Sequence, residues 1–226
     1  MKFTTVIILT LLTLNSNAQK ENILIKFCPL ALIDDISFPT IQGGLEFNLS
    51  KKITWYNEVG IKYRKSFIDN DVDTNFIKSS GFKLKTEIRY YFQNRSKFSF
   101  EGSYLAANIF YTKDNHNNQI DYFHNGDTTK MLTDAFGVKK NVLGLNFIFG
   151  HQQKLNKRFL IDAYCGFGIR YRNISTINEE YSKTKDVSAN QSTDPNIRIM
   201  RLNVDAETGN NIVPNLTLGL RLTYRL

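Results

Sequence analysis

"NLTLGLRLTYRL", residues 215–226, places Leu216, Leu218, Leu220, Leu222, Tyr224 and Leu226 at every second position, with Thr217, Gly219, Arg221, Thr223 and Arg225 between them. Successive side chains of an extended strand point to opposite faces. The stretch therefore reads as a strand with one greasy face and one face that carries two arginines. Which of the two points inward decides the fold.

The same period of two recurs along the chain. "IQGGLEFNLS" (41–50) sets Ile41, Gly43, Leu45, Phe47 and Leu49 against Gln42, Gly44, Glu46 and Asn48. "FKLKTEIRYYF" (82–92) sets Phe82, Leu84, Ile88, Tyr90 and Phe92 against Lys83, Lys85, Glu87, Arg89 and Tyr91. "FLIDAYCGFGIRYR" (159–172) repeats the scheme, with Asp162, Gly166, Gly168, Arg170 and Arg172 on its polar side. Four further runs, 23–29, 53–64, 97–111 and 141–150, bring the strands to eight. Leu105 and Ala107 interrupt the alternation of the fifth and predict a bulge there.

The connections alternate in length. "SKK" after Leu49, "QNRS" after Phe92 and "HQQKLNK" after Gly150 are short and polar. The others run about 10 residues after Pro29, about 16 after Arg64, about 28 after Tyr111 and about 40 after Arg172, the rhythm of a membrane barrel with short turns at one end and long loops at the other. The longest is rich in Asn, Ser, Thr and charge, as suits a solvated excursion; "NIRIMRLNV" within it alternates weakly and could extend a strand.

Lys2, the apolar run Val6–Leu12 and the small residues up to Ala18 read as a secretory leader, residues 1–18, cleaved before Gln19. The run is far shorter than the ~20 residues of a membrane-spanning helix, and no later run is longer. Residues 19–226 form one domain, with no linker to divide it. If it sits in a membrane it must do so as a closed sheet, which satisfies every backbone hydrogen bond internally. Of the two cysteines, Cys28 falls on the inner face of the first strand and Cys165 on the outer face of the seventh. The strands are not neighbours, so no disulfide is expected.

Three features place the greasy face outside. An eight-stranded barrel has an interior that side chains just fill, and the small residues Gly44, Gly60, Gly144, Gly166, Gly168 and Gly219 share the polar face. Phe47, Trp55, Tyr90, Phe92, Phe98, Phe100, Phe147, Phe149, Phe159 and Tyr224 gather by the short turns, as an interfacial girdle would. Glu46, Glu58, Lys85, Glu87, Arg89, Glu101, Asp162 and Arg221 lie at similar depth on the polar face and could form one interior layer of ion pairs. Facing lipid near the midplane, each Lys or Arg would cost about 2–4 kcal/mol. The sequence thus predicts an all-β fold, an eight-stranded antiparallel up-and-down transmembrane β-barrel.

On "LGLRLTYRL" at the C-terminus, "GGLEFNLS" with the nearby "EVGIKY", the leader and the loop rhythm, the chain resembles small outer-membrane β-barrel proteins of Gram-negative bacteria, including uncharacterised families. The resemblance covers essentially the whole mature chain and implies a place in the cell outer membrane, reached through the barrel-insertion machinery. In that class the last strand typically ends on an aromatic residue; here the end is Leu226, with Tyr224 two places earlier on the same face.

Little in the sequence points to chemistry. His116 and His124 lie near Asp114, Asp121 and Asp127 in the third long loop, without the short spacing of a metal site, so no metal or other cofactor is expected. His151 falls in a short turn. No histidine sits on a predicted strand to serve as base to a nucleophile, and the chain reads as non-enzymatic. The net charge of +8 is spread along strands rather than gathered in a stripe, which argues against nucleic acid. It suits outer-membrane lipid and lipopolysaccharide phosphates near Lys62, Arg64, Lys65, Arg170 and Arg172, or lumen charge balance. The expected protein is a monomeric barrel whose external loops make contacts, for adhesion or envelope integrity. A narrow pore or transport component is the alternative, and a lipid-modifying enzyme the third.

Overall fold

The computed structural model describes residues 23–34, 37–64, 77–93, 100–182, 184–189 and 208–226. The leader, Lys65, Phe98 and "NIRIMRLNV" lie outside the described residues. The strands are β1 (Ile23–Phe27), β2 (Thr40–Asn48), β3 (Ile53–Lys62), β4 (Ser80–Gln93), β5 (Gly102–Phe123), β6 (Met131–Lys154), β7 (Phe159–Ile177), β8 (Val187–Ser188) and β9 (Gly209–Arg225). Each strand of the wall pairs antiparallel with its sequence neighbours, and β1 pairs with β9 through Leu24↔Arg225 to Phe27↔Leu222, closing a ring of eight. β8 stands apart, pairing with the far end of β5. Closure joins the first strand to the last, as the up-and-down reading requires.

The ring is polar inside and apolar outside. Arg89, Arg221, Glu46 and Asp162 are 0% exposed, while Leu216 and Leu218 are 85% and 78% exposed. Ile41, Val59, Ile88, Ile109, Leu145, Phe167 and Ile169 join the exposed rows. Of the girdle aromatics, Trp55, Tyr90, Phe92, Phe147, Phe149 and Phe159 face out, and Phe47 with Trp55, Phe92 with Phe149 and Phe159 with Tyr224 stack across strands. Phe100 is the exception. It is buried with Leu24 and Leu160 in an apolar floor near the short turns, because it precedes β5 and folds under the barrel mouth instead of joining the wall.

Several strand limits differ from those read in the sequence. β5 and β6 pair continuously from Gly102↔Gln152 to Phe123↔Met131, so most of the third long loop is a projecting hairpin. β6 runs on to Lys154, which puts His151 in a strand and shrinks the last short turn. β7 reaches Ile177 and β9 begins at Gly209, so both strands reach into the stretch read as the longest loop. Leu105 and Ala107 both face outward in an unbroken ladder with β6; the bulge lies on β4, between Tyr91 and Gln93. The hairpin escaped notice because its two faces both lie clear of the apolar band, so nothing there demands alternation. It is held instead by its ladder and a small cluster of Phe136, Val138 and Ile174 with Ile120.

Inward glycines answer inward rings on the neighbouring strand. Gly150 is paired with Tyr104, Gly144 with Phe110 and Gly219 with Tyr164, and a methyl group added at any of the three would come within 2.4 Å of the ring opposite. The bare backbone gives the ring its room.

Candidate functional site

The lumen holds two layers of charge. The lower one, towards the short turns, centres on Asp162 of β7. Its Oδ2 meets Lys26 Nζ at 2.8 Å, Arg89 Nη1 at 2.9 Å and Arg221 Nη1 at 3.5 Å, and its Oδ1 accepts from the Tyr104 hydroxyl at 2.7 Å. Glu46 of β2 pairs with Lys26 at 2.7 Å and Arg89 at 3.3 Å and accepts from Tyr91 at 2.9 Å. Glu87 of β4 binds Arg89 Nη2 and Arg221 Nη2, each at 2.6 Å. Glu58 of β3 pairs with Lys85 at 2.7 Å and Arg221 Nε at 3.2 Å, and accepts from Tyr56 at 2.6 Å and Cys28 Sγ at 3.0 Å. Rings sandwich the guanidinium groups: Arg89 lies 4.5 Å from the Tyr56 centroid and 4.6 Å from Tyr104, and Arg221 lies 3.9 Å from Tyr164.

Four cations, Lys26, Lys85, Arg89 and Arg221, thus face four carboxylates, Glu46, Glu58, Glu87 and Asp162. Apart from Lys85, their side chains are at most 1% exposed. Charge neutrality and multiple donors per carboxylate are what make such burial tolerable. Of the residues expected in this layer, seven meet here. Glu101 does not: it precedes β5 and is only half-buried. Lys26, Gln152, Tyr56 and Tyr104 are not among the residues the sequence sets in this layer, although Tyr91 already stands on the polar face of its run. Lys26, which also donates to Gln152, shares the parity of Cys28, and Tyr56 that of Glu58, which is the signal that would have found them.

Above this plug a belt of amides crosses the lumen, Asn215 donating to Asn146 at 2.8 Å and Asn146 to Asn108 at 3.1 Å. The upper layer, towards the long connections, is different in kind. Lys62 of β3 pairs with Asp114 of β5 at 2.9 Å, and His116 Nδ1 lies 3.1 Å from the same carboxylate. Lys83 of β4 pairs with Asp34 at 2.9 Å and donates to the Phe38 carbonyl at 2.9 Å. The Phe38 ring sits between the two ammonium groups, 4.4 Å from Lys83 and 5.3 Å from Lys62. Lys140 of β6 and Arg170 and Arg172 of β7 face the same space, half-buried. Three of the cations read as rim charge, Lys62, Arg170 and Arg172, therefore point into the lumen; Arg64 is exposed outside, against Tyr63.

The histidines are also placed differently from expectation. His116 is buried in β5, and His124 sits in a short turn 3.0 Å from Asp186. His151 Nδ1 lies 3.0 Å from Ser103 Oγ across the β5–β6 ladder. That Ser–His contact sits on the outer face near the short turns, and no carboxylate orients the ring among its described contacts. Among the described residues no three metal-ligating side chains cluster. Cys28 is buried inside the ring and Cys165 exposed outside it, so the wall separates the two thiols.

Fold and lumen together define a class: a closed antiparallel ring of eight strands with apolar side chains on the outside and a compensated ionic plug within. Residues 4–198 match DUF3575, described as a protein of unknown function, and the chain belongs to that family. The match ends before β9, the strand that closes the ring. No curated protein and no solved structure matches the chain.

Proposed function

We propose that the chain is an integral, non-enzymatic barrel of the outer membrane of a Gram-negative envelope, monomeric, bounded by outer-membrane lipid and lipopolysaccharide and assembled by the barrel-insertion machinery. Its long-connection end makes external contacts, in adhesion or envelope integrity. One observation carries the reading: the apolar rows are exposed all around the ring while the ionic groups are sealed inside. A soluble protein seldom exposes a contiguous apolar patch beyond a few hundred Å², and a hydrocarbon surround removes that cost. The second reading, a narrow pore, draws on the basic upper lumen. It is the weaker one, since the plug of Arg89, Arg221 and their carboxylates spans the tube beneath.

Fractionation with heat-modifiability tests the first reading. The expected result is an outer-membrane protein that migrates faster unboiled than boiled in detergent gels; recovery in a soluble fraction overturns it. Planar-bilayer recording of the inserted protein tests the second. Silence is expected, and steady unitary conductance would favour the pore.

A further inference from the structure

We propose that the wall has a side entrance between β9 and β2, which takes the head of an uncharged amphiphile from the surrounding lipid. The inference rests on the membrane reading above. It starts from the shortness of β1, which stops at Phe27, opposite Leu222, whereas β9 continues up to Gly209 with β7 as its partner. Above Phe27, the edge of β9 that faces β2 therefore has no strand beside it among the described residues. A short 3-10 turn, Pro29–Ile33, packs against both β2 and β9 there. Its bonds run to the β2 side: Cys28 N, at its start, donates to the Gln42 carbonyl at 3.1 Å, and the Tyr63 hydroxyl donates to the Leu32 carbonyl at 2.8 Å. Among the described residues no backbone hydrogen bond joins the turn to β9.

Exposure follows the seam. Ile212, Leu216 and Leu218 beside it are 72%, 85% and 78% exposed, against 44% for Leu222, which β1 flanks. On the inner side Val213, Asn215, Thr217 and Gly219 are only half-buried, while Val142, Asn146, Ile148 and Gln152 of β6, a strand paired along both edges, are buried. Pro214 lies in the same stretch, and a residue with no N–H to give is confined to edge strands and bulges. Every second residue of an edge strand turns its N–H and C=O to the open side. At the level of the leucine row, hydrocarbon cannot satisfy them. The occupant therefore needs hydrogen-bonding groups and a tail. Leu216 and Leu218, with Phe167 across the ladder from Leu216, give the tail an apolar track, and Asn215 and Thr217 meet the head inside. The head is uncharged, since no inward side chain of β9 above Arg221 carries charge. A second copy does not fit: two β9 edges related by a two-fold axis pair antiparallel, with one barrel upside down in the membrane.

The test places single cysteines in the full chain, with Cys28 and Cys165 replaced by serine, reconstituted in phosphatidylcholine bilayers. Pyrene maleimide, which partitions into lipid, is the label. L216C, facing lipid, should react readily, T217C within about threefold of it, and A106C at least tenfold more slowly. Ala106 is inward in the same cross-strand row as Thr217, where the wall is paired on both sides. An unreactive L216C overturns the membrane reading itself; a reactive L216C with T217C as slow as A106C overturns the entrance alone. V213C takes the place of T217C if that variant does not fold. A sulfonated maleimide confined to water is the counter-probe: T217C labelled faster by it than by the pyrene reagent is reached from the lumen mouth, and the entrance is overturned. Monoolein added to the bilayer should then slow T217C at least threefold relative to L216C, and hexadecane should not. Equal slowing at both positions, or none, overturns the amphiphile site. Protection by an alternating Leu-Thr peptide in place of monoolein assigns the edge to strand addition and overturns it too.

Discussion

The lower lumen and the upper lumen are built from the same kinds of charged residue and share β3, β4 and β7, yet they differ in electrostatic design. In the lower layer each carboxylate meets at least two cations, tyrosine hydroxyls fill the remaining lone pairs, and rings cover the guanidinium faces. In the upper layer Asp114 and Asp34 hold Lys62 and Lys83, and Lys140, Arg170 and Arg172 line the same space half-buried, Lys140 within electrostatic reach of Asp114. The first arrangement is a structural plug, in which the position of each charged group is fixed by its neighbours. The second gathers charge of both signs in a less tightly sealed part of the tube, where Lys140, Arg170 and Arg172 are only half-buried. A sealed layer and a more open one are thus separated by height within one tube.

That separation can be broken by mutation. Asp162→Ala leaves Lys26, Arg89 and Arg221 around an emptied position, and removing one partner of a buried ion network costs about 3–5 kcal/mol. The loss should appear as an early urea unfolding midpoint in detergent, the largest effect of the set. Next comes the same charge on the wrong face of β9: Leu218→Arg points a guanidinium outward beside inward Arg221, and facing hydrocarbon it costs roughly 2–4 kcal/mol. Its effect should be larger in bilayers than in micelles that can reorganise round it; no loss in either would refute the outward assignment. Arg170→Gln is expected to change stability by no more than about 0.5 kcal/mol, or to raise it, since it relieves repulsion. If it destabilises as Asp162→Ala does, the two layers are not different in kind.

The smallest effect concerns a clamp outside the barrel. The Ser182 and Asn125 amides donate to the Asp186 carboxylate at 2.8 and 3.2 Å, with His124 Nδ1 at 3.0 Å. The Ser182 bond, foremost, holds the Asp186 carboxyl below the usual aspartate range. A lowered native value means that the clamp is fully formed above the ordinary value of about 4 and is lost as pH falls through the lowered one. Hydrogen exchange at the Ser182 and Asn125 amides, corrected for intrinsic rates, should therefore accelerate only below about pH 4, while amides of the ring stay protected. Acceleration already at pH 6 would refute Asp186 as the holder of the clamp.

How much of this was legible in the sequence follows from which environments impose a pattern. Where a wall strand separates an exposed apolar face from a packed polar lumen, the two faces must differ, and Leu216 to Leu222 or Glu87 and Arg89 announce their sides by parity alone. Where the β5–β6 hairpin projects beyond the band, both faces share one medium and "DNHNNQIDYF" carries no alternation to read. Depth was less legible than side. The height of a residue in the lumen depends on the stagger between strands, so Glu101 and Phe100 were set at a level they do not share, and the sorting of Lys62, Arg170 and Arg172 into an upper layer was invisible. Lys26 shares the inner face with Cys28, two places on, and what its strand does not announce is a depth at the centre of the plug.

The glycine and ring pairs have a bearing on what could be made of this scaffold. Because Tyr104, Phe110 and Tyr164 lie over bare backbone at Gly150, Gly144 and Gly219, the aromatic lining hugs the staves and leaves the axis to the arginines. The bore is therefore stopped by a handful of removable stalks, while the barrel's girth is set independently by the lining. A conduit engineered from this chain would trim Lys26, Lys85, Arg89 and Arg221 and their four acidic partners together, to keep the charge even, and leave every glycine where it stands.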